Sequence, residues 1–539
     1  MPRLTIAVAL AALCAFGLVR AAEETAWGRW AQWGDLGNGR YRNPILPADY
    51  SDLDAIRVGD DYYAISSTFQ FSPGMAILHS RDMINWRTVG HAVPDLTQIS
   101  PKLNWNRMNR YGRGIWAGAI RHHAGRFWIY FGTPDEGYFM TSAEHPEGPW
   151  APLHRLLDSP GWDDCAPFWD DDGKGYFIGS NFSDGYKIHL WEMSADNKTL
   201  IPGSDRVIYQ SKGSEANKLY KFNGTYFHFF SEVQGDARVM MMRRAASIRG
   251  PWSGKRQLMH GEPGAMQPNQ GAILQGSDMN WYFFTHHGDG DWEGRAASLL
   301  PVHWIDGWPV IGKPDQAGIG TMVWEGKMPA SGLPRQFPQG SDGFDTAALA
   351  PVWEWNYQPR MDKWSLSARP GFMRQHAFPG LDGGNLLKVG NVLTQRVVRT
   401  SGQSFVARIE LKGMADGQHA GLAHFTAQPR SRNPAESTAS AGIVMAGGKR
   451  HLEISRDGSY TRLQPWAHDT IWLRSSWSLD GKSTFAVSAD GKQFQAVLAD
   501  FPLTWGAYRG SRLGLFTFNP EGERGHVDVD GVSYAIDNR

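Results

Sequence analysis

Cysteine is nearly missing: Cys14 and Cys165 are the only two in 539 residues. Cys14 falls inside the opening "MPRLTIAVALAALCAFGLVRAAEE", which has one early Arg, an apolar run from Leu4 to Val19, and small residues at Ala21 and Ala22. That is the pattern of a secretory signal peptide over residues 1–22, with cleavage expected after Ala21 or Ala22. The run is too short, and wrongly flanked, for a membrane span. The mature chain then keeps Cys165 alone, which excludes an intramolecular disulfide. An exported protein, periplasmic or secreted, must therefore rely on its core. An excess of one charge is also lacking, since 54 Lys and Arg balance 54 Asp and Glu. This argues against nucleic acid or an anionic membrane as partner. Extended helical periodicity is missing over residues 40–312, which argues for an all-β fold there.

What the chain has in quantity is Gly (62), Pro (31) and Trp (24). Gly and Pro imply many turns. Most of the Trp must be core, but flat aromatic faces also stack on sugar rings. Strand signals recur behind a turn: "GDDYYAI" from Gly59, "GRFWIYFG" from Gly125, "GKGYFIG" from Gly173, "GTYFHFF" from Gly224 and "DMNWYFF" from Asp278. The copies stand 48 to 66 residues apart, and each continues into a second unit ending at Trp86, Trp150, Leu200, Trp252 or Trp308. A period near 50 with several short strands per copy is the mark of a propeller blade. Five copies predict a five-bladed β-propeller over residues 40–312.

The aspartate-rich stretch "PGWDDCAPFWDDDGKGYFIG" invites a calcium-loop reading, which fails. Aligning Asp170, Asp172 and Gly173 to loop positions 3, 5 and 6 puts Phe168 at position 1 and Gly179 at position 12, where acids are required. Asp170 to Gly173 reads instead as a hairpin turn, with Asp163 and Asp164 upstream of it. Each blade's innermost strand should start just before its turn. Asp52, Asp164 and Glu215 lie seven to nine residues before Gly59, Gly173 and Gly224. The three carboxylates are thus predicted to converge at one mouth of the channel. In a neutral, Trp-rich setting they suggest glycoside hydrolysis: one protonated to serve the leaving oxygen, one ionised to activate water, a third to set their protonation. Asp54 reads as structural, and Cys165 as a packed residue.

From Asn43 to about Gly312 the chain resembles glycoside hydrolase family 43. "RNPILPADYSDLDAIRVGDDYYAISSTFQFSPGMAILHSRDMINW" resembles the family's opening blade, "WDDCAPFWDDDGKGYF" its third, "SEANKLYKFNGTYFHFF" its fourth, and "EGRAASLLPVHWIDGWPVIG" its closing one. The resemblance implies Asp52 as general base, Glu215 as general acid and Asp164 as the residue that orients the acid and modulates its pKa. It implies Arg295, Trp116 and Phe69 as substrate-binding residues, and His287 beside "GDGDWEGR" is a further pocket candidate. The chain departs from the family at "SDLD", at "EANKLY" and at "PNQGAIL". In the last, Asn269 and Gln270 stand where many relatives place a His beside a channel calcium, which argues against a structural calcium. No metal or cofactor is needed for the chemistry.

Residues 313–343 read as a Gly- and Pro-rich linker. From 344 to 539, runs such as "SFVARIEL" and "STFAVSADG" predict a β-sandwich, which resembles the concanavalin A-like domain of xylosidase members. The function expected is an exo-acting, inverting β-xylosidase that releases xylose from xylo-oligosaccharides or arabinoxylan fragments. The alternatives are an α-L-arabinofuranosidase acting on arabino-oligosaccharides, a retaining fructosidase-type propeller, or a sugar-binding propeller without catalysis.

Overall fold

A computed structural model describes residues 33–261, 268–287, 291–427, 436–506 and 508–536; the expected signal peptide lies outside them. Five four-stranded antiparallel sheets follow one another in chain order. Their innermost strands are Asp54–Val58, Gly118–His123, Trp162–Trp169, Glu215–Phe222 and Pro268–Gln275. These are the five predicted blades. Gly59, Gly125, Gly173 and Gly224 stand in the first four inner hairpins at φ between 64° and 82°, and Met279 takes that conformation in the fifth at 65°. Only glycine adopts this region without side-chain strain, so the turn signal that marked the repeat has a backbone cause. Asp170 closes its hairpin as expected, its N–H donating to the Lys174 carbonyl at 2.9 Å.

Apolar side chains fill the seams between blades, where the two faces of adjacent sheets meet. Ile65, Ile77, Ile120 and Ile129 pack between the first and second; Ile178, Leu190, Leu219 and Phe230 pack between the third and fourth. The ring closes on the first: Trp86 stacks on Phe284 of the fifth blade at 4.8 Å, and Leu46 bridges to Ala297.

Beyond the propeller two large sheets pack face to face as the predicted sandwich. One has seven strands and the other eight. The eighth strand comes from the propeller: Phe71–Ser72 pairs with Glu354–Asn356, Trp355 opposite Ser72. A single apolar core runs through Tyr50, Trp86 and Phe284 of the propeller into Trp355, Phe405 and Leu515 of the sandwich. The expected linker is not a free connection. Glu325–Lys327 pairs with Arg40–Arg42, and Gln339 accepts from the Tyr50 hydroxyl at 2.8 Å.

Charges are buried at this junction too. Glu354 meets Arg396 at 2.8 Å, Arg512 at 3.0 Å and His91 at 3.2 Å. Asp49 meets Arg509 at 3.1 Å and Arg512 at 3.2 Å. Despite burial, the surrounding cations hold the Glu354 carboxyl well below the usual carboxylate range.

Candidate active site

One cavity of about 240 Å³ opens at the channel mouth and gathers Asp52, Asp164, Glu215, Arg295, Trp116 and Phe69. Six of the seven predicted site residues are therefore together. The seventh, His287, is not: it is fully buried and shares a hydrogen bond of 2.6 Å with Ser298. Its neighbour His286 holds a site residue from behind instead, accepting the Asp52 N–H on Nδ1 at 2.5 Å. Successive residues of a strand point to opposite faces, so a one-residue choice within Trp281–His287 decides which histidine matters.

Local backbone distortion places the acids. The inner strands of blades three, four and five each slip register at the same end, between Asp163 and Ala166, Glu215 and Lys218, and Pro268 and Gly271. Asp52, Asp164 and Ala216 have φ of 56°, 46° and 62°. Non-glycine residues rarely adopt this region, and its cost is commonly tolerated at functional sites. Bulges of this kind re-aim the side chains they carry.

The electrostatics separate the acids. Arg295 pairs with Asp52 at 2.7 Å. Glu215 faces Arg238 at 3.1 Å, yet burial, together with the charges of Asp164 and Asp52, pushes its carboxyl up to about 7. Burial also raises Asp164, while the Ala216 N–H and the charges of Lys218 and Arg238 pull it back. Asp54 lies deeper, as expected of a structural residue, accepting from Ile120 N–H at 2.9 Å and Arg121 at 2.6 Å. Cys165 is fully buried, and burial pushes its thiol upward.

Lys218, fully buried, reaches from the fourth blade to the Gly118 carbonyl at 3.3 Å and to within 3.9 Å of Asp54. An ammonium therefore stands near the Asp54 carboxylate inside the channel. Among the described residues no cluster of three or more metal-ligating side chains occurs.

Among the further lining residues that escaped the sequence, two stand out. Tyr508 comes from the sandwich: its ring meets Trp116 edge-on at 6.1 Å and lies 5.2 Å from the Arg295 guanidinium. Next to it, Arg509 lies 4.1 Å from the Phe69 ring and donates to the Thr68 carbonyl at 3.1 Å. Nothing local in "WGAYRG" announces a pocket in another domain. Asp163 is the other, and it shares the cavity with the three predicted acids.

The family described as Glycosyl hydrolases family 43 matches residues 41–309. The domain described as Beta xylosidase C-terminal Concanavalin A-like matches residues 341–535. A β-xylosidase of Formosa agariphila is 33% identical, over 96% of this chain and 93% of its own. A non-reducing end α-L-arabinofuranosidase of Bacteroides ovatus is 27% identical over 64% of this chain and 67% of its own. The solved structure of a bifunctional GH43-CE protein of Bacteroides eggerthii superposes with a TM-score of 0.78 at 26% identity, covering 94% of this chain; the chain spans 64% of that protein.

Proposed function

This chain belongs to glycosyl hydrolase family 43 and is a glycoside hydrolase, and on that premise we propose that it is an exo-acting, inverting β-xylosidase. The observation that carries the mechanism is one cavity holding a raised acid, Glu215, and a second carboxylate, Asp52, paired with a guanidinium. Glu215, pushed to about 7, keeps its proton near neutrality. Asp52 is paired with a guanidinium 2.7 Å away. Glu215 gives its proton to the glycosidic oxygen as the bond to the anomeric carbon breaks. Asp52 takes a proton from the water that attacks the opposite face, so the product inverts. Asp164 keeps Glu215 protonated by its own negative charge.

The cavity's size supports exo action. About 240 Å³ is below the ~300–1,000 Å³ usual for drug-sized ligands, and suits one terminal sugar. Xylose is favoured because the relative named β-xylosidase matches nearly end to end, whereas the arabinofuranosidase matches over 64% of the chain. The leader read at residues 1–22 of the sequence supports an activity outside the cytoplasm.

The test compares 4-nitrophenyl β-D-xylopyranoside with 4-nitrophenyl α-L-arabinofuranoside, followed by proton NMR of fresh product. Faster turnover of the xyloside with α-xylose appearing first is expected. Preference for the arabinofuranoside would move the protein to the alternative substrate. First appearance of the substrate's own anomer would make Asp52 a nucleophile.

A further inference from the structure

Adjacent residues of a regular strand point to opposite faces, so Asp163 ought to turn away wherever Asp164 points in. It does not. The bulge between Asp163 and Ala166, with Asp164 at φ 46°, puts both carboxylates on the wall of the same cavity. The backbone of Asp163 is fixed in this pose: its carbonyl accepts from the Tyr138 hydroxyl at 2.7 Å and Ser180 Oγ at 3.3 Å. The α-carbon sits so close to Gly132 that a β-carbon there would come within 3.0 Å of it. Its side chain is less tied: the Asp164 N–H acts on the carboxyl, but one oxygen is left over. Oδ1 is buried without a hydrogen-bond partner, while the residue is half-buried where it borders the cavity. A buried polar atom left unpaired is costly, and Asp163 carries that cost on the wall of the sugar pocket.

We propose that Asp163 is a sugar-binding residue, its carboxyl hydrogen-bonding hydroxyls of the terminal pentose in the reactive subsite. The three neighbouring acids already divide the proton transfers and leave it none. Burial and the charges of Asp164, Asp52 and Glu215 push the Asp163 carboxyl well above the usual range. A neutral carboxyl carries one O–H donor and an acceptor oxygen, which is the pattern two neighbouring sugar hydroxyls require. Ser180, opposite Asp163 in the hairpin, and Phe182 and Tyr186 beyond it line the same wall. Asp163 therefore marks the side on which the ring's hydroxyls lie.

The inference rests on the pentosidase reading, so its test is binding without turnover. Xylobiose and arabinobiose are titrated calorimetrically into Glu215→Gln, alone and combined with Asp163→Ala or Asp163→Asn. Asp163→Ala is expected to weaken the better ligand by about tenfold or more, the scale of one to two lost hydrogen bonds. Asp163→Asn, which keeps a donor and an acceptor in the same shape, is expected to lose at most about threefold. Unchanged affinity in Asp163→Ala overturns the inference and leaves the function standing, as does a loss in Asp163→Asn equal to that in Asp163→Ala. Failure of Glu215→Gln itself to bind either disaccharide overturns the pentosidase reading and this inference with it.

Discussion

Replacing Arg238 with Met should move the enzyme's working range to higher pH. Arg238 stands 3.1 Å from Glu215 and favours its ionised form, opposing the burial that raises the carboxyl to about 7. At an effective dielectric of about 20, a unit charge at that distance is worth roughly 5 kcal/mol. The guanidinium spreads its charge, and both side chains are about a quarter exposed, at 22% and 26%. About 1–3 kcal/mol is a fairer figure after screening, or roughly 1–2 pH units. Without the cation Glu215 holds its proton longer, so the basic limb of kcat/KM should rise from near 7 to roughly 8–9. Arg238→Lys should leave the limb nearly in place. The assay is the pH profile on a xylo-oligosaccharide, where leaving-group protonation is needed. A limb that stays put in Arg238→Met, or falls, would refute Glu215 as the acid controlled by this pair.

Asp164→Asn removes an anion beside Glu215, so the same limb should move downward and activity should fall; an unchanged limb would take Asp164 out of its role. Glu215→Ala should spare an aryl xyloside with a very good leaving group at least tenfold more than xylobiose, because such groups need little protonation; steady-state kinetics on both reads this directly. At the domain junction, Glu354→Gln leaves Arg396 and Arg512 with less negative charge in a fully buried site. Breaking such a network should cost about 3–5 kcal/mol, seen as unfolding at lower urea concentration.

The five blades were legible because each hairpin repeats a demand that only a few residues meet. Gly59, Gly125, Gly173 and Gly224 all carry positive φ, so a backbone requirement appears as a spaced letter in the sequence. Asp52, Asp164 and Glu215 were legible for a related reason, since each stands near the start of an inner strand, at a similar distance before the hairpin turn that ends it. Asp163 was hidden by the alternation rule itself, which holds for a strand and fails at a bulge. His286 and His287 illustrate the same parity problem, as register across Trp281–His287 chooses between them. Tyr508 and Arg509 left no local trace, because their partners stand hundreds of residues away. Phe71–Ser72 is two residues long, too short for any periodic signal, and the "linker" concealed a strand that pairs with Arg40–Arg42.

The strand that the propeller lends to the sandwich also imposes an order on synthesis. Ser72 donates to Gln358 across 286 residues of chain, and Thr68 receives Arg509 across 441. Phe69, a wall of the pocket, lies between them. When the fifth blade leaves the ribosome, the segment carrying Phe69 still lacks the strand it pairs with and the guanidinium beneath its ring. Blades can close early through contacts between neighbours, but the pocket is finished only after the last strands of the sandwich emerge. A nascent chain stalled after residue 312 would hold all four acids and no completed site.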